Sequence, residues 1–147
     1  MHFEGTFSVV APREEVFDYL LNPKELLTCL PDVQKYEVKS QDEFTAVVRT
    51  GISFIKGDFS LSFKMLEKVR PSHAKLVARG SGIGSTVDLE ANMDLTEENN
   101  TTSLKWQAEA KVGGRIASVG QRLISRQAEK IIEQLFGCVQ KQVGGQG

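Results

Sequence analysis

The sequence has little net charge, little histidine and little cysteine, and each scarcity removes a class of function. Its 18 Lys and Arg against 19 Asp and Glu leave a net charge of −1 over 147 residues. No long-range field therefore attracts polyanions, and nucleic acid is not an expected partner. Its two histidines, His2 and His73, stand in no spacing with a nucleophile or with metal ligands. Neither a metal site nor histidine acid–base chemistry is indicated. The two cysteines, Cys29 and Cys138, lie far apart without a CxxC. That spacing points to neither a disulfide framework nor a structural zinc site, so a reducing cytoplasm is the expected setting. Nowhere do about eighteen apolar residues run consecutively, as a membrane-spanning helix needs. The start, MHFEGTFSVVAPREE, lacks the basic opening and apolar run of a secretory signal, so no export is expected.

What is present is a strand-patterned body followed by one long amphipathic stretch. Phe3, Gly5, Phe7 and Val9 alternate with polar residues as a first strand up to Pro12. Pro12 suits a helix start and Glu14 and Glu15 suit the positive end of the helix dipole. A short helix to about Leu21 follows; Asn22-Pro23 stops it and opens a second helical turn through Thr28. From Val33 the pattern is six strands, separated by turn signals at Gln41-Asp42, Gly51, Arg70-Pro71-Ser72, Gly82 to Gly84 and Glu98-Asn99-Asn100. Three alternate cleanly, with Phe59, Leu61, Phe63 and Met65; Val87, Leu89, Ala91, Met93 and Leu95; and Leu104, Trp106, Ala108, Ala110 and Val112 on their apolar faces. Such strands belong in an antiparallel sheet with one wet and one buried face. From Gly114 to about Gln142 a helix carries Ile116, Val119, Leu123, Ile124, Ala128, Ile131, Leu135 and Val139 at helical spacing. That stripe must bury itself on the sheet. The expectation is an α+β helix-grip domain, 1–143, with seven antiparallel strands curved around the long C-terminal helix, two short helices between strands one and two, and a flexible tail at 144–147.

Several inward sheet positions are small, namely Ala74, Ala78, Gly80, Ala91, Ala108 and Ala110. They either leave room for a ligand or let the helix lie closer to the sheet. A ligand held there would be apolar, since almost nothing polar faces inward on the clean strands. The residues expected to line its site are Phe59, Phe63, Met65, Leu76, Met93, Trp106, Leu123, Gln127 and Ile131. Gln127 is the polar residue in the middle of the helical stripe. It either hydrogen-bonds a ligand carbonyl or hydroxyl or meets water at the stripe's margin.

Catalytic signals are weak. Gly80-Ser-Gly-Ile-Gly-Ser85 resembles a phosphate loop but lacks the Lys-Ser/Thr ending and leads into a strand, so it reads as a hairpin turn. Strand carboxylates fall on the polar face without pairing for catalysis. Cys29 has no basic neighbour to make it a nucleophile and reads as structural. No catalytic residue, metal ligand or cofactor is assigned.

The run from Phe7 to Pro23, FSVVAPREEVFDYLLNP, together with the order of elements, resembles the START-like superfamily of polyketide cyclases, lipid-transfer domains and birch-pollen-allergen-like proteins. Cys29-Leu-Pro-Asp32, Ile55-Lys-Gly-Asp-Phe59 and above all Val112-Gly-Gly-Arg-Ile-Ala-Ser-Val-Gly-Gln-Arg-Leu123 are similar to the carbon monoxide dehydrogenase G-subunit family. Glycine is suited to a sharp turn at Gly113 and Gly114 and to a close backbone approach at Gly120. The resemblance implies a non-catalytic accessory protein with a cavity for a lipid or quinone-like ligand. Its implied partner is a molybdenum-containing carbon monoxide dehydrogenase or related hydroxylase, met peripherally at the cytoplasmic membrane. A START-like cyclase or dehydratase acting on a hydrophobic substrate, and an adaptor with a filled core, stand as the alternatives.

Overall fold

The computed structural model describes residues 1–144. Seven antiparallel strands form one sheet in the order β1-β7-β6-β5-β4-β3-β2. They are β1 (His2–Val9), β2 (Val33–Val38), β3 (Glu43–Ile52), β4 (Ile55–Val69), β5 (His73–Gly82), β6 (Ser85–Glu98) and β7 (Thr101–Gly114). Between β1 and β2 lie α1 (Arg13–Leu20) and α2 (Pro23–Cys29). Pro12 stands at the N-cap of α1, and Asn22 caps α2 by accepting the Lys24 amide at 3.1 Å. The turns fall where the punctuation indicated except at Gly51, which lies inside β3 paired with Lys56 of β4, the turn coming two residues later at Ser53-Phe54. Two-residue hairpins at Ser53-Phe54, Ile83-Gly84 and Asn99-Asn100 each place residues in the left-handed region, the geometry that matches the twist of paired strands.

Pairing register brings the inward residues into rows across the sheet. Phe44 faces Phe63, Ala78 faces Leu89, Leu89 faces Ala110, and Met93 faces Trp106. The rows are unequal along the strands. At one end Val9, Val16, Leu20, Leu27, Phe44, Met65, Leu95 and Leu104 pack beneath α1 and α2 as a closed core. The other end carries the smaller side chains.

The long C-terminal helix is not continuous from Gly114 to Gln142. β7 runs through Gly114, a 3₁₀ turn spans Ile116–Val119, α3 spans Gln121–Val139, and a π-helical turn spans Gln140–Gly144. The break falls at Gly120, whose φ of +94° only glycine adopts readily. Nothing lies within 4 Å of where a Gly120 Cβ would stand, so its role is this conformation and not the close approach expected of it. Gly114 does make such an approach: a Cβ there would stand 2.2 Å from the Gly84 carbonyl oxygen. Of the expected tail, Gly144 is buried in the final turn and 145–147 lie outside the described residues.

One expectation is overturned outright. Cys29 and Cys138 form a disulfide, with their Cα atoms 5.5 Å apart. Their 109-residue separation in sequence carried no information about separation in space. Cys29 ends α2 and Cys138 lies in the last turn of α3, and these helices pack together. With the pair bonded, cysteine usage no longer argues for a reducing compartment. Among the described residues no helix is long and apolar enough to cross a membrane.

α3 is anchored at one end only. Phe136 and Val139 are its buried residues, and each such side chain contributes roughly 1.5–3 kcal/mol. Phe136 stacks on Phe7 with centroids 4.8 Å apart and lies 6.4 Å from Trp106. No residue from Gln121 to Leu135 is fully buried.

Candidate functional site: an apolar chamber under the final helix

Where α3 stands off the sheet, a chamber of about 280 Å³ remains. Its floor is the small-residue end of the sheet: Leu61, Ala78, Gly80, Val87, Leu89, Ala110 and Val112, with Phe3 from β1. Val48, Thr50 and Ile52 of β3 form one side, and Ile124, Gln127, Ala128 and Ile131 of α3 form the roof. Ile83 and Ile116 close the end. The Ile116 amide donates to Ser85 Oγ at 2.9 Å and the Arg115 amide to the Gly84 carbonyl at 3.0 Å, fixing the 3₁₀ turn on the β5–β6 hairpin. Gly80 allows the Phe59 ring to lie flat on β5, since a Cβ there would stand 2.3 Å from Phe59 Cε1.

The chemistry of the lining is narrow. Thr50 and Gln127 carry its polar side chains, and no titratable group is among its residues. A second, smaller opening of about 160 Å³ adjoins the chamber and shares Val48, Thr50, Leu61, Gln127 and Ile131 with it. This opening leads out between the Leu30-Pro31-Asp32 loop and α3, past Arg49, Lys130 and Gln134.

Of the nine residues expected to surround a ligand, the structure brings Phe59, Gln127 and Ile131 to the chamber. Phe63, Met65, Leu76, Met93 and Trp106 share its sheet face but lie at the filled end, in or against the core cluster, with Phe63 stacked on Phe44 at 4.5 Å. Leu123 is 39% exposed at the start of α3. Alternation assigns a side chain to a face but not to a level along the strand, so the filled and empty ends could not be told apart. The β3 wall was missed for another reason. Phe44, Ala46, Val48, Thr50 and Ile52 do alternate, but Thr50 interrupts their apolar run.

The histidines lie on the opposite, wet face. His2 meets Glu109 through Nδ1 and Glu4 through Nε2 at 2.7 Å. Glu109 first and Glu4 second raise its pKa above the ordinary 6.5. His73 meets Asp94 at 2.8 Å and Glu67 at 3.2 Å, and Asp94 is the main cause of its raised pKa, opposed by burial. Both pairs sit on exposed strand positions away from the chamber. Among the described residues no group of three or more His, Cys, Asp or Glu could hold a metal ion.

The family model for the G subunit of carbon monoxide dehydrogenase (CoxG) matches residues 5–144. The chain belongs to the CoxG family. No curated protein matches it. Among solved structures, a conserved protein from Geobacillus kaustophilus superposes with a TM-score of 0.90 at 29% identity, covering 97% of this chain and 94% of that one. A START superfamily protein from Mycobacterium smegmatis gives 0.73 at 10% identity, covering 99% of both chains. The Zhui aromatase/cyclase from Streptomyces sp. R1128 gives 0.62 at 13%, covering 97% and 94%. The last two likenesses concern the fold: this CoxG-family chain has the START-like helix-grip architecture, with the seven-stranded antiparallel sheet and long C-terminal helix read from its sequence.

Proposed function

We propose that this protein is a non-catalytic carrier that holds a lipid or quinone-like molecule between the sheet and α3 and serves a molybdenum hydroxylase of the carbon monoxide dehydrogenase type. The observation that carries this reading is the chamber lining, which is apolar except for Thr50 and Gln127. Burial of apolar ligand surface there is worth roughly 25 cal/mol per Å², and a lining without an acid or base supports carriage over proton-transfer chemistry. The open chamber likewise favours a carrier over an adaptor with a filled core.

Work at a membrane surface suits the rim. Phe54, in the hairpin that follows the chamber residue Ile52, is 78% exposed. Lys56, Arg115, Arg122 and Arg126 are exposed nearby in sequence to lining residues and form no ion pair among the described residues. An exposed apolar tip, together with free cations on the segments that line the chamber, fits a peripheral contact with anionic lipid.

Native mass spectrometry of protein purified from its own host tests the carrier. A co-purified hydrophobe, released on denaturation, is the expected result. Protein that arrives empty and then takes up neither a neutral dye such as Nile red nor a long-chain hydrophobe would end this reading.

A further inference from the structure

The two openings of the chamber differ in chemistry. The main one is apolar except for Thr50 and Gln127, whereas the side opening brings together Thr50, Gln127, Gln134, Lys130, Arg49 and Asp32. Thr50 and Gln127 belong to both spaces, so they stand where the apolar chamber passes into the polar one. This passage offers donors from a hydroxyl, two carboxamide NH₂ groups, an ammonium and a guanidinium, the hydroxyl and carboxamides also being able to accept. Asp32 is the sole carboxylate on its lining. Arg49 is engaged by Asp58 at 3.2 Å, while Lys130 has no ion pair among the described residues and stands one helical turn from Gln127.

We infer that the bound molecule is a carboxylate-bearing amphiphile, its chain in the main chamber and its carboxylate in the side opening, accepting hydrogen bonds from Thr50 and Gln127 and paired with Lys130. The inference rests on the carrier reading and narrows it to a ligand class and an orientation. A carboxylate has only acceptor sites, and Thr50, Gln127 and Lys130 can each donate to it. Lys130 is the charge that separates an acid from a neutral head of the same shape. The chamber also limits the chain. At the ~30 Å³ that one water-sized group occupies in a liquid, it accepts roughly nine or ten methylene-sized groups.

The test is a binding series on the whole protein, using decanoate, methyl decanoate, decanol and a decyl-substituted benzoquinone, followed by displacement of Nile red at low salt. Decanoate should bind at least about tenfold more tightly than its methyl ester. Lys130→Met should remove that gap while leaving the ester's affinity alone, and Gln127→Leu should weaken decanoate. Both positions lie on an incompletely buried helix face, and thermal melts verify that the variants fold. Equal binding of acid, ester and alcohol, or silent variants, would overturn the assignment of the head group and leave the carrier standing. Preference for the benzoquinone over the acid would overturn it in the same way. Failure of all four compounds to bind would overturn both inferences together.

Discussion

Replacing Gly80 with alanine should abolish much of the ligand affinity while leaving the protein folded. The added methyl would stand 2.3 Å from Phe59 Cε1 and 2.9 Å from Leu61 Cδ2. Carbon atoms in contact need about 3.5–4.0 Å, so the Phe59 ring has to move by more than ~1 Å. Phe59 lines the chamber, which is the vacant space adjoining it. A ring tilted inward removes room for roughly two or three water-sized groups. At ~0.8 kcal/mol per buried methylene the lost contact is about 2 kcal/mol, a roughly 30-fold weaker Kd. The effect on stability is smaller. Crowding costs about 1–3 kcal/mol, and alanine in place of glycine within a strand returns roughly 0.5–1 kcal/mol. Titration with decanoate, or with whichever hydrophobe co-purifies, measures the first effect, and calorimetric melting the second. A folded variant with unchanged affinity would show that ligand does not occupy the chamber. A variant that fails to fold would show that Phe59 has no spare space beside it.

Reducing the disulfide, or replacing both cysteines by serine, releases a 109-residue loop; it should cost about 2–4 kcal/mol and lower Tm by roughly 5–15 °C, and a melt indifferent to reductant would contradict the pairing. Thr102 is fully buried and its hydroxyl donates to the Ala11 carbonyl at 2.7 Å, so Thr102→Val should destabilise by roughly 1–3 kcal/mol, read by urea titration against the parent. His73 binds its proton more tightly in the folded state than at the ordinary 6.5. The stabilisation it supplies is therefore complete below pH 6.5 and disappears as pH rises through the raised value. His73→Gln should accordingly lower Tm at pH 6 and have less effect at pH 8; a penalty that grows with pH would contradict the assigned direction of the shift.

Much of the architecture could be read from alternation alone, because each of β4, β6 and β7 keeps one polar and one apolar face over its clean run and the β5–β6 and β6–β7 hairpins are marked by Gly84 and Asn99-Asn100, which accept a positive φ. Helix grip followed from the remaining stripe, which had nowhere else to bury itself. Three features escaped for identifiable reasons. The Cys29–Cys138 bond joins segments that only the folded packing of α2 on α3 brings together. The division of α3 from the 3₁₀ turn rests on a single glycine conformation, not on any change in apolar periodicity. The position of the chamber depends on the level at which large and small rows fall: Met93 opposite Trp106 fills one end, while Leu89 opposite Ala110 leaves space at the other. A site list drawn from bulky inward residues therefore favoured the end that those residues had already closed.

The one-sided anchoring of α3 separates two properties that most binding proteins couple. In a protein whose ligand lies inside the main core, exchange requires the core itself to loosen, and each gain in stability slows turnover of cargo. Here Phe136, Val139 and the Cys29–Cys138 bond hold the distal end of the helix, whereas the segment roofing the chamber adjoins the Gly120 break and buries no residue completely. Loading and release are then local events, costing only the partial burial of Ile124, Ala128 and Ile131, far less than global unfolding. Selection could adjust the residence time of the cargo through these few side chains without altering the durability of the molecule that carries it.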